Sequence, residues 1–120
     1  QYTVKVQTTK KQMEVRQGSH YELQINAGNL KKGQSKVVTI SVNPKELEIK
    51  NASSFAEEDD LKEGVDGITL LKYQPKKGVL VWKLTGSLER GESCETYQSI
   101  PVEAKKDGKT EIAYTMTEQS

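Results

Sequence analysis

Several residue types on which small catalytic or cross-linked proteins depend are nearly missing from this 120-residue chain. The chain has one cysteine, Cys94, and one histidine, His20, and no apolar run approaches the roughly 20 residues that span a bilayer. One cysteine excludes an internal disulfide, and one histidine excludes a zinc site built from several histidines. We therefore expect neither a disulfide scaffold nor a transmembrane protein.

An excess of charge of either sign is also lacking. The 18 basic and 17 acidic side chains leave a net charge of +1, which gives no strong field to concentrate phosphates or lipid headgroups. Lysine doublets such as Lys31-Lys32 and Lys76-Lys77 fall at predicted turns, without the interleaved aromatic residues of a nucleic-acid surface. Nucleic acid is therefore not an expected partner.

The low hydrophobic content, 33% of residues, limits how the core can be built. It favours sheets with one face buried and the other wet, and hence a thin sandwich rather than a buried parallel sheet. The length suits one domain over residues 1–120. Because the chain opens at Gln1 without an initiator methionine, we expect a module excised from a larger protein, with a processed product as the alternative.

Alternation of apolar and polar residues, the signature of half-buried strands, runs through most of the chain. It is clearest at residues 21–27 and 37–42. The most apolar run, Val79 to Leu84, predicts a central strand that is buried on both faces for part of its length, with Trp82 in the core. These patterns predict an all-β protein with about eight or nine strands.

The remaining pattern predicts how these strands are bounded. Residues 2–6 predict a first strand, and after a polar stretch Met13 and Val15 predict a second, weaker one. Pro101 predicts an edge position or a bulge, because proline cannot donate to the ladder. Asp107-Gly108 predicts a hairpin between the last two strands. Residues near 53–63 predict one short helix or a loop.

No set of residues resembles an active site. His20 follows a turn and is expected to be exposed, and Cys94 is flanked by Glu residues, which disfavour a nucleophilic thiolate. A catalytic triad would have to rest on that single histidine. We therefore expect that the protein is not an enzyme.

An acidic run offers the hard oxygen ligands that calcium prefers. It consists of Glu57, Glu58, Asp59 and Asp60, followed by Glu63 and Asp66. The run lacks the Asp-x-Asp-x-Asp-Gly spacing that folds consecutive carboxylates around one ion, so a solvated acidic face is expected, with calcium binding as the alternative. No other cofactor is expected.

Aromatic side chains are the remaining candidates for ligand binding. Tyr73 and Tyr97 are the candidate ligand-binding residues, because aromatic faces stack on sugars. A glycan-binding surface would require Tyr73, Tyr97 or Trp82 to line up on one solvent-facing side. Packing within the strands is the alternative role for these residues.

The order of several segments resembles cohesin-like modules, the β-sandwiches of bacterial carbohydrate-degrading assemblies. The segments are Lys32-Gly33-Gln34-Ser35, the strand at 37–42, Asn43-Pro44 before Leu47-Glu48-Ile49, Gly78 to Trp82, and Ile100 to Ile112. Similar stretches also occur in modules of large clostridial surface or secreted proteins that carry RHS/YD repeats. Where the cohesin-like modules begin their early strands with Gly-Asp, this chain has Arg16-Gln17-Gly18-Ser19, and no pattern corresponds to dockerin recognition.

The resemblance implies a two-sheet antiparallel sandwich of jelly-roll or immunoglobulin-like type, outside a Gram-positive cell or on its surface. Three functions are open, and the third, an enzyme or inhibitor fragment whose site is completed by a neighbouring chain, could be revealed only by the flanking sequence. The first is a non-catalytic module of a larger protein that acts in protein–protein docking, adhesion or domain spacing through a sheet face or edge. The alternative is a carbohydrate-binding module that recognises extracellular glycans through a sheet face.

Overall fold

The computed structural model describes residues 4–50 and 65–119, and these residues form eight β-strands and no helix. The strands are β1 (Val4–Val15), β2 (His20–Gly28), β3 (Ser35–Val42), β4 (Leu47–Ile49), β5 (Val65–Gln74), β6 (Val79–Gly86), β7 (Thr96–Ala104) and β8 (Gly108–Gln119). The predicted all-β class is confirmed. The helix or loop predicted near residues 53–63 lies outside the described residues.

The strands form two antiparallel sheets that pack face to face. One sheet has five strands in the order β1-β8-β3-β6-β5, and the other has three in the order β2-β7-β4. Every pairing between strands is antiparallel. The predicted two-sheet sandwich is therefore confirmed.

The chain passes from one sheet to the other at almost every connection. Among the described strands, only β5 and β6 follow each other within one sheet, and they are joined by a turn in which Lys77 N donates to Gln74 O at 3.0 Å. The hairpin predicted at Asp107-Gly108 is wrong, because β7 belongs to the three-stranded sheet and β8 to the five-stranded one. The strands β2 and β4 already pair with the two sides of β7, so no place is left there for β8.

The first strand is longer than the sequence predicts. Val4–Val15 is one strand, not two, and it pairs with β8 over twelve residues without a shift in register. The apolar residues change sides along the strand, because Val6, with 66% of its residue surface exposed, faces solvent, whereas Val15 is buried. The polar residues 7–12 do not alternate with apolar ones, and they are held in the sheet by their pairing with β8.

Pro101 lies on the middle strand of its sheet, so the predicted edge position is wrong. It pairs with Glu22 of β2 in regular register, and its carbonyl accepts a hydrogen bond from Lys50 N at 2.8 Å. In an antiparallel ladder the nitrogen and the carbonyl of one residue face the same neighbour. The nitrogen of Pro101, which has no hydrogen to donate, therefore faces Lys50, just beyond the end of β4. No hydrogen bond between strands is lost there.

The core occupies the space between the sheets and has Trp82 near its centre. Trp82 is fully buried, and its indole N–H donates to the side-chain oxygen of Gln98 on β7. The predicted core position of Trp82 is confirmed. The predicted burial of residues 79–84 on both faces is wrong, because only Leu80, Trp82 and Leu84 are buried and Lys83 is exposed.

Gly78, at the start of β6, provides a test of the packing. Its φ is 72°, and a Cβ there would lie 2.1 Å from the carbonyl oxygen of Val42. Gly33 has a similar φ of 87° with no heavy atom within 4 Å of the same position. We expect Gly33→Ala to cost about 1 kcal/mol of unfolding free energy through backbone strain alone, and Gly78→Ala at least about 2 kcal/mol more through displacement of β3. Urea denaturation measures both, and equal losses would contradict the close approach.

Candidate functional site

The predicted ligand-binding residue Tyr73 faces the interior of the sandwich. It pairs with the buried Leu80, packs against the core, and is only partly exposed. Its hydroxyl donates to the carbonyl of Ile49 on β4 at 3.1 Å. Tyr73 therefore connects the edge strands β5 and β4 of the two sheets.

Tyr97 faces solvent from the outer face of the three-stranded sheet, with 50% of its residue surface exposed. Its hydroxyl donates to Glu95 Oε2 at 2.7 Å, and Asn26 Nδ2 donates to the same oxygen at 3.3 Å. The hydrogen bond to Glu95, reinforced by the carboxylate charge, raises the pKa of Tyr97 above its usual value, because both favour the neutral phenol. Tyr97 is thus a fixed aromatic group on a polar face.

The structure does not bring the predicted aromatic residues together. Trp82 lies in the core, Tyr73 between the sheets, and Tyr97 on an outer face. The neighbours of Tyr97 on that face are polar, such as Gln24 and Ser99, whose side chains lie 3.4 Å apart. A continuous aromatic platform is therefore not formed by these three residues.

The two candidate reactive residues occupy separate elements. His20 begins β2, is exposed as predicted, and places Nε2 3.2 Å from Glu103 Oε1. Cys94 lies in the loop before β7, partly buried, and its backbone N–H donates to Asn29 Oδ1 at 2.5 Å. Neither contact joins a nucleophile to a general base.

The described residues contain no arrangement of side chains that supports calcium binding. In residues 4–50 and 65–119 no group of three His, Cys, Asp or Glu side chains is arranged to hold a metal ion. Asp66 is exposed on β5, and the rest of the predicted acidic run, residues 57–63, lies outside the described part of the chain.

Free strand edges distinguish one side of the sandwich from the other. The edge strand β5 carries two register irregularities, β2 carries one, and β4 is three residues long. By contrast, β1 is twelve residues long, regular, and free of proline, and among the described strands it pairs with β8 alone. Every second residue of an edge strand directs its backbone N–H and C=O away from its neighbour, so β1 presents unpaired donors and acceptors.

A cleft opens beside this edge, between β1 of one sheet and β2 of the other. Its volume is about 280 Å³. The side chains that line it include Lys11, Met13, Leu23, Ile25, Ile112 and Tyr114. Met13, Leu23 and Tyr114 are only partly buried, so they offer apolar surface at the opening of the cleft. We call this cleft the β1–β2 slot.

Sequence reasoning did not find the edge or the slot. The division of residues 4–15 into two strands concealed a long edge, and the assignment of strands to sheets was not available from alternation. The signal that was present is the absence of proline and glycine from residues 4–15, which fits an unbroken strand.

The chain matches no known family model, no curated protein and no solved structure. In the described part of the chain no helix is long and apolar enough to cross a membrane.

The contact between Tyr97 and Glu95 predicts the ionisation of Tyr97. Glu95→Gln removes the carboxylate charge, so we expect the pKa of Tyr97 to fall towards the ordinary tyrosine value. In the native protein the contribution of this contact to stability is present below the ordinary tyrosine pKa and is lost as the pH rises through the raised value. The ring-carbon chemical shift of Tyr97, followed by NMR against pH, measures the change. The same titration curve in both proteins would show that the contact does not form in solution.

Proposed function

We propose that the protein is a non-catalytic module of a larger surface or secreted protein, and that it docks another protein module by strand addition along β1. In strand addition, an extended segment of the partner forms main-chain hydrogen bonds with an exposed sheet edge. The single observation that carries the proposal is the regular twelve-residue edge of β1, which pairs with no described strand other than β8.

The contrast between the edges supports this role. Bulges and short strands are the usual means of preventing unwanted pairing, and they occur on β2, β4 and β5. The corresponding protection of β1 is only the charge of its lysines, such as the exposed Lys10 and Lys11. Charge prevents indiscriminate association, but it leaves the backbone accessible to a complementary partner.

The proposed setting, outside the cell or on its surface, rests on the resemblance to cohesin-like modules. That resemblance is carried by segments such as Asn43-Pro44 and Leu47-Glu48-Ile49, at the connection into β4. A sandwich of this length can fold without cross-links, which suits a module placed between other domains of such a protein.

Two neighbouring proline substitutions test whether β1 docks a partner. Successive residues of β1 direct their N–H groups to opposite sides of the strand. Proline has no N–H, so one of the variants Thr8→Pro and Thr9→Pro loses a hydrogen bond to β8. The other variant loses a donor at the free edge. Linear peptides selected by display on the native protein serve as ligands. We expect the variant that keeps its thermal stability to lose at least tenfold in peptide affinity.

Hydrogen exchange gives the location of binding independently. Bound peptides should slow the exchange of amides in β1, whereas amides in β5, the other edge of the same sheet, should be unaffected. Selected peptides that protect no β1 amide, or that bind the stable proline variant with native affinity, would refute docking at this edge.

A second candidate function is glycan binding on the outer face of the three-stranded sheet. It is favoured by the half-exposed ring of Tyr97, which Glu95 holds in place beside polar side chains. We expect Tyr97→Ala to abolish any signal on a glycan array, because the stacking surface is removed. Tyr73→Phe, which leaves that face intact, is the matched control. Undiminished binding by the alanine variant, or an array without signal, would argue against this function.

A further inference from the structure

We infer that the segment docked on β1 places a bulky apolar side chain in the β1–β2 slot and two adjacent acidic side chains opposite Lys11 and Lys10. This inference rests on the proposed docking at β1 and specifies the chemistry of the partner.

The position of the slot determines which partner side chains enter it. A strand added to β1 continues the five-stranded sheet, so its side chains alternate between the outer face and the space between the sheets. The register with β8 places Met13 opposite the buried Thr110 and Lys11 opposite the buried Ile112. Residues 11 and 13 of β1 therefore face inward, and a partner residue opposite Met13 would point into the slot.

The lining of the slot favours an apolar occupant. Met13, Leu23 and Tyr114 are partly exposed there, over the buried Ile25 and Ile112. An entering apolar side chain removes both its own surface and theirs from water. The volume of about 280 Å³ is ample for a side chain such as leucine or isoleucine. On the opposite side of the sandwich, the hydroxyl of Tyr73 bridges β5 and β4 through its hydrogen bond to the carbonyl of Ile49.

The charge of β1 selects an acidic partner over a second copy of the chain. The sequence of β1 contains Lys5, Lys10 and Lys11 but one acidic residue, Glu14. Two copies of β1 side by side would each contribute this positive excess, so the net charge disfavours their pairing, whereas acidic residues on a partner would be attracted. Lys10 is exposed on the outer face, and Lys11 lies at the slot with its ammonium 5.8 Å from the centre of the Tyr114 ring.

The direction of pairing fixes the order of these residues in the partner. Every strand pair in this sheet is antiparallel, and antiparallel pairing is the more stable arrangement. Read from its amino end, an antiparallel segment meets Met13, Gln12, Lys11 and Lys10 in turn. The inferred pattern is therefore apolar, any residue, acidic, acidic.

A synthetic peptide tests the pattern directly. The probe is a blocked ten-residue peptide of threonine and valine with isoleucine, glutamine and two glutamates at its centre, and its affinity for the full chain is measured by fluorescence anisotropy. We expect replacement of the isoleucine by serine to weaken binding at least tenfold. Replacement of the neighbouring glutamine, which faces away from the slot, should change affinity less than threefold.

Charge reversal in the protein tests the second half of the pattern. We expect the variant K10E/K11E to bind the probe at least tenfold more weakly, and to recover binding when both glutamates of the probe are replaced by lysine. The matched control is K72E on β5, the other edge of the sheet, which should bind within threefold of the native protein. Circular dichroism verifies that both variants are folded.

The outcomes separate this inference from the function on which it rests. If display-selected peptides protect β1 amides but the probe does not bind, or is insensitive to its isoleucine and glutamates, the inferred pattern is wrong and docking at β1 stands. If neither the probe nor any selected peptide protects β1 amides, both are wrong.

Discussion

The hydrogen bond between Trp82 and Gln98 joins the two sheets through the centre of the core, and the rest of the structure is arranged around it. With only 33% hydrophobic residues, each sheet can supply one buried face and no more. Trp82 fills the largest share of the space between those faces, and its buried N–H requires an acceptor. Gln98, itself 2% exposed, supplies that acceptor from the middle strand of the smaller sheet. The contact therefore fixes how β6 lies against β7.

The positions of strands and the burial of Trp82 were predictable from the alternation of apolar and polar residues. The assignment of strands to sheets depends on long-range pairing and was not predictable. Alternation at residues 21–27 and 37–42 predicted strands, and the predicted burial of Trp82 is confirmed. Alternation does not reveal which sheet receives a strand. Asp107-Gly108 has the composition of a hairpin turn, but β7 has a partner on both sides, so the chain crosses to the other sheet.

The candidate site was harder to predict because it depends on sheet order. Tyr73 and Tyr97 were both credible as exposed aromatic residues in the sequence, yet the hydroxyl of Tyr73 binds the carbonyl of Ile49 between the sheets. The open edge of β1 could not be recognised without knowing that β1 pairs with β8 and that β1 is the last strand of its sheet. Polar residues such as Thr8 and Lys10 carry no periodic signal, so the pairing alone reveals the strand.

The two lateral sides of the sandwich differ, and only the side of β1 combines a long, regular edge with partly exposed apolar side chains among the described strands. On one side, Tyr73 spans the gap between β5 and β4, and both of those edges are irregular or short. On the other side, β1 is long and regular, and the adjacent slot leaves Met13 and Leu23 partly exposed. An edge with both unpaired backbone groups and uncovered apolar surface would associate indiscriminately if it were neutral. In the proposed docking, its lysines would repel basic strands and attract acidic ones, so the charges that oppose indiscriminate pairing would also select the partner.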